Sequence, residues 1–121
     1  MDSNKNILQE IAQKDSRYKV EAYIFVFEAL EYTLKKISKR RHISGKELLD
    51  GIKNYALEQF GGLAKMVFNQ WGIKTTYDFG EIVFTLVDAG LMGKTEKDSK
   101  EDFRDIYDFE EIFRVEIKKV K

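Results

Sequence analysis

The stretch from Tyr18 to Ile37 constrains this chain more than any other. Its polar positions are Lys19, Glu21, Glu28, Glu31, Thr33, Lys35 and Lys36, and between Ala22 and Leu30 the single charge is Glu28. A helix this apolar has to be covered on nearly all sides. The spacing therefore predicts a central helix over 18–37, around which the rest of the chain packs.

Helix starts are marked by capping signatures. Ser44-Gly45-Lys46-Glu47, flanked by Ile43 and Leu48, has the Ser-x-x-Glu spacing in which hydroxyl and carboxylate satisfy free backbone N–H groups reciprocally. Tyr77-Asp78-Phe79-Gly80-Glu81-Ile82 and Tyr107-Asp108-Phe109-Glu110-Glu111-Ile112 share the pattern Y-D-F-x-E-I. In each, Asp is placed to cap a helix, Glu to reach back, and Tyr to pack on Ile. Helix starts are expected near 44, 78 and 108, and the echo reflects similar caps, not a duplicated ancestor.

Periodicity fills in the bodies. Leu48, Leu49, Ile52, Tyr55, Ala56 and Phe60 give an amphipathic helix over 44–59, ended by Gly61-Gly62. Leu63 to Trp71 forms a shorter one before Gly72. Phe79, Ile82, Val83, Leu86 and Val87 line a helix over 78–89, which Gly90 closes. Ile7, Leu8 and Ile11 mark a further helix near the N-terminus. Between Leu91 and Tyr107 two short apolar runs flank a polar tip, the pattern of a small β hairpin, although Asp98 and Glu101 also have cap spacing. After Phe113 the tail suits a helix or a strand.

The expected fold class is thus mainly α: a single domain over 1–121 around a central apolar helix, with a small hairpin, and with 1–16 and 115–121 less ordered. At 121 residues, 43% of them hydrophobic, such a chain buries roughly 65% of its unfolded surface without metals or disulfides. No cysteine is present, which removes disulfides, thiolate nucleophiles and sulfur-ligated zinc and suits a reducing compartment. The opening Met1-Asp2-Ser3-Asn4-Lys5-Asn6 lacks the basic and apolar regions of a signal peptide, and no apolar run approaches the ~18 residues of a membrane span. A cytoplasmic location without membrane contact is expected. The 35% of charged residues resembles thermophilic usage, while the absence of proline argues the other way.

The order of short helix, turn, apolar helix and hairpin resembles a winged helix-turn-helix core. The residues that carry this are Trp71-Gly72-Ile73, then Asp78 to Ala89 as third helix, then Gly90-Leu91-Met92 leading into the wing. A recognition helix at that position meets phosphates and base edges with basic and amide groups. Here it carries Asp78, Glu81 and Asp88 and neither Lys nor Arg. The resemblance therefore implies a domain that binds protein. The chain is also similar to an uncharacterised family of small bacterial proteins through Arg17-Tyr18 with Glu21-Ala22-Tyr23, Ser44 to Leu49, Gln70 to Ile73, Asp78 to Val83, and Asp98 to Phe113. That resemblance implies no activity, ligand or catalytic residue.

Lys plus Arg and Asp plus Glu each total 21, so net charge is zero and any polyanion must be read by a local patch. The candidate residues are Lys35, Lys36, Lys39, Arg40 and Arg41, followed by His42 and Lys46; their simpler role is to complement the negative end of the central helix. Glu96 to Glu111 holds eight carboxylates, but counted from Asp98 its third and sixth positions are Lys100 and Phe103, which fails the calcium-loop pattern. This acidic stretch is a solvated face or a contact for a basic patch. His42 is the single histidine, and the glycines of Gly90-Leu91-Met92-Gly93-Lys94-Thr95 lack phosphate-loop spacing. No catalytic set, metal site or cofactor is expected. The sequence leads to a cytoplasmic interaction or scaffold module that contacts a protein partner or its own copies, with a nucleic-acid-associated protein acting through residues 35–41 as the alternative.

Overall fold

A computed structural model describes residues 2–38 and 41–114. The chain forms α1 (Asp2–Lys14), α2 (Val20–Ile37), α3 (Gly45–Phe60), a 3-10 turn at Gly61–Leu63, α4 (Ala64–Trp71), α5 (Thr76–Asp88), a second 3-10 turn at Lys100–Phe103, and the single turn α6 (Phe109–Ile112).

The central position of α2 follows from its composition. Ala22, Tyr23, Phe25, Val26, Ala29, Thr33 and Leu34 are buried, and α2 packs against α1, α3, α4 and α5. Its contact with α3 is the most extensive. Small residues permit this: a Cβ at Gly51 of α3 would lie 1.8 Å from the Thr33 hydroxyl oxygen, so the two helices meet where α3 has no side chain. Thr33 turns its hydroxyl back onto the Ala29 carbonyl at 2.7 Å, which removes a buried donor from the interface.

Ser44 caps α3 as its spacing requires, accepting from Glu47 N–H at 3.1 Å while the Glu47 carboxylate accepts from Ser44 N–H at 3.0 Å. The start of α5 differs from the expected one. Thr75 is the N-cap residue, and Asp78 sits in the first turn with its carboxylate accepting from the N–H groups of Lys74 and Thr75. The other oxygen of Asp78 accepts from the Tyr18 hydroxyl at 2.5 Å, which ties α5 to the entry of α2. At α6 the expected cap holds, Asp108 accepting from Glu110 N–H, but the helix lasts one turn. The tail beyond residue 114 lies outside the described residues.

The hairpin expected at 91–107 is corrected: the described residues contain no strand. Ser99 instead caps the second 3-10 turn, accepting from Glu101 N–H while Asp102 accepts from Ser99 N–H. Phe103 then drives its ring against α5 and α3, passing within van der Waals reach of Gly80 and Gly45. A buried aromatic ring anchoring on two glycines fixes the segment better than a two-stranded ribbon, which is marginal by itself. Without strands there is no wing, so the likeness to a winged helix-turn-helix stops at helix order.

Aromatic side chains unite the core. Phe68 of α4 is fully buried and makes ring contacts with Phe25, Phe60, Trp71, Phe79, Phe109 and Phe113 at centroid separations of 5.2–6.5 Å. Most of these pairs are edge-on or tilted, as ring quadrupoles favour. Phe109 and Phe113 carry α6 into the same cluster, so the chain closes back on the α2–α4 layer.

Candidate functional site

Of the basic stretch singled out in the sequence, Lys35, Lys36 and Arg41 are among the described residues. Lys35 and Lys36 occupy the last turn of α2, where cations complement its negative end, and the Lys36 ammonium lies 5.4 Å from the centre of the Tyr32 ring. Arg41 is engaged elsewhere: its guanidinium grips the Glu47 carboxylate through two bonds of 2.7 and 3.2 Å and donates to the His42 carbonyl at 2.9 Å. Arg41, with Ser44 N–H second, holds the Glu47 carboxyl down to about 2. Lys39 and Arg40 lie outside the described residues.

His42 ends this stretch and meets the acidic one. Its Nε2 lies 2.8 Å from a carboxylate oxygen of Asp98, which also accepts from Thr95 N–H at 2.7 Å. Thus the basic and acidic segments touch within one chain at the level of these two residues. In and beside the acidic stretch, Lys100 pairs with Glu81 at 2.7 Å, Arg104 with Glu101 at 2.7 Å, and Lys65 with Glu110. Glu81 receives Arg17 as well, at 2.9 Å, and Lys100 first and Arg17 second hold its carboxyl below the usual range.

His42 and Asp98 both line a cavity of about 270 Å³. Its lining includes Leu30 and Leu34 of α2, Ser44 and Leu48 at the start of α3, Val83 and Phe84 of α5, and Met92, Gly93, Lys94 and Asp98 of the following segment. Arg41, Asp102 and Phe103 also line it, so both cations and carboxylates face the cavity. Sequence reading singled out Lys94 only as part of a failed phosphate loop. It missed the cavity because the lining residues come from positions 30 to 103, brought together by the docking of Phe103.

The polar side chains of the lining are hydrogen-bonded within the chain. Ser44, the hydroxyl in the lining, already accepts the α3 N–H, and the Asp98 and Asp102 carboxylates each accept backbone N–H groups. Among the described residues, no group of three or more His, Cys, Asp or Glu side chains could hold a metal ion, and no helix is long and apolar enough to cross a membrane.

A second surface feature was not read from the sequence. Three of the five exposed large apolar side chains among the described residues, Leu57, Leu63 and Met66, follow one another around the Gly61-Gly62 corner between α3 and α4. Met66 and Leu63 are half-exposed or more, at 50% and 56%. Amphipathic periodicity marks inward positions well, but it does not say which apolar residues a corner leaves outside.

No protein-family model matches the chain, nor does any curated protein or solved structure.

Proposed function

We propose that this protein is a non-catalytic interaction module of the cytoplasm that associates with copies of itself through the α3–α4 corner. The observation that carries the reading is the run of exposed apolar side chains Leu57, Leu63 and Met66 at that corner. A net charge of zero supports it, since copies with no net charge do not repel and near-neutral proteins tend to associate. The absence of lysine and arginine from α5 weighs against nucleic-acid reading by that helix.

Sedimentation velocity over a range of protein concentrations tests the proposal. The wild-type chain is expected to populate a dimer or higher species, and Leu63→Glu with Met66→Glu to return it to a monomer that keeps the wild-type helical circular dichroism and whose Tm no longer rises with protein concentration. A strict monomer at every concentration would remove self-association. In the same buffers, a titration with labelled duplex and single-stranded nucleic acid at two salt concentrations checks the alternative through Lys35, Lys36, Lys39, Arg40 and Arg41. Phosphate contacts would appear as steep weakening with salt.

A further inference from the structure

We propose that the cavity lined by α2, α3, α5 and the segment after α5 is a binding site for a small uncharged molecule of hydrocarbon character, of the class of alkylbenzenes. None of Leu57, Leu63 and Met66 lines it, so the site does not depend on self-association.

The walls set the body of the ligand. Leu30, Leu34, Leu48, Val83, Phe84 and Met92 supply aliphatic, aromatic and thioether surface from three helices and the segment that follows α5, and the Phe103 ring adds a second aromatic surface. Rings and a methionine sulfur both contact an aromatic guest favourably. An apolar cavity of roughly 150 Å³ holds one benzene molecule, so about 270 Å³ accommodates roughly ten non-hydrogen atoms.

The polar groups of the lining set its charge. Arg41 and Lys94 stand against Asp98 and Asp102, two charges of each sign, so among the described residues the lining favours neither an anion nor a cation. A proton on His42 would face the Asp98 carboxylate that its Nε2 touches at 2.8 Å. Each of the four charged side chains also has a partner within the chain: Glu47 for Arg41, the Thr95 carbonyl for Lys94, Thr95 N–H for Asp98 and Ser99 N–H for Asp102. The Tyr23 hydroxyl is the buried side-chain polar atom left without a partner among the described residues, and Tyr23 is not part of the lining. No orphaned group therefore calls for a polar guest, whereas a charged guest would give up hydration and meet a like charge. An uncharged apolar guest gains the walls at neither cost.

Titration of the intact chain, methyl-labelled at Leu, Val and Met and followed by NMR, with ethylbenzene and its two charged counterparts, phenylacetate and phenylethylammonium, tests the assignment. Ethylbenzene is expected to shift the methyls of Leu30, Leu34, Leu48, Val83 and Met92 and to raise Tm as its concentration rises. Each charged counterpart should bind about tenfold more weakly or worse. Val83→Phe, which fills the cavity, should abolish the shifts, and Val83→Ile, which intrudes by a single carbon, should weaken binding and serves if the larger variant does not fold. The proposal is overturned by an absence of shifts at these methyls, by either charged counterpart binding as well as ethylbenzene, or by affinity that folded Val83 variants leave unchanged. Shifts centred on Leu57, Leu63 and Met66 would overturn it too, since they would mean adsorption to the exposed corner.

Discussion

Tyr23 is fully buried, yet its hydroxyl has no hydrogen-bond partner among the described residues. A buried polar atom without a partner costs free energy that a same-shaped apolar group avoids. Tyr23→Phe is therefore expected to stabilise the fold by about 1 kcal/mol, read as a raised urea midpoint with unchanged slope. Glu47 gives the opposite kind of case, a group whose charged form is favoured by folding. Its carboxyl titrates near 4.5 when free and is held down to about 2 by Arg41 and Ser44. The stabilisation it supplies is thus complete above about pH 5 and lost as pH falls from 4.5 toward 2. Because the pair is exposed the effect is modest. Comparison of Tm for wild type and Glu47→Gln should show a gap at pH 6 that closes by pH 2; a gap that persists there would mean the carboxyl acts through its hydrogen bonds and not its charge. The Ser44–Glu47 box was legible from four letters of sequence because it is local. Neither the orphaned Tyr23 hydroxyl nor the Asp78–Tyr18 bond was, since both depend on which helices become neighbours.

Between elements, the docking of Phe103 holds the segment from Leu91 to Asp102 against the helices. The buried Thr76 hydroxyl adds to it, donating to the Phe103 carbonyl at 2.6 Å and accepting from Ile106 N–H at 3.1 Å. Phe103→Ala removes a ring packed on Gly80 and Gly45, and a loss of about 3–5 kcal/mol is expected. Amide hydrogen exchange should then show protection lost first between 91 and 106, while α2 and α3 remain protected; equal loss everywhere would mean the segment does not open separately. Helices over 18–37, 44–59, 63–71 and 78–89 were readable in the sequence because their apolar periodicity is sustained. The segment after Gly90 was misread as a hairpin because two short apolar runs cannot distinguish a strand pair from a loop anchored by one ring. For the same reason the cavity was not legible: Met92 and Lys94 are lining residues only because Phe103 brings their segment back.

For the molecule as a whole, the absence of proline has a kinetic consequence. Slow refolding of small domains on the scale of ~10–100 s usually comes from prolyl isomerisation. This chain should refold from urea in a single fast phase whose amplitude is the same after short and long times in denaturant. Trp71, the single tryptophan, reports on it from its place against Phe25, Phe60 and Phe68. A slow phase that grows with time in denaturant would show that another isomerisation is present. The closeness of α2 and α3 at Gly51 and Thr33 also bears on how such a chain can change over generations. Any side chain at 51 would collide with the hydroxyl of Thr33, so position 33 must shrink before position 51 can grow. The two sites are bound into an ordered mutational path, and a descendant that carries a larger residue at 51 records an earlier loss at 33.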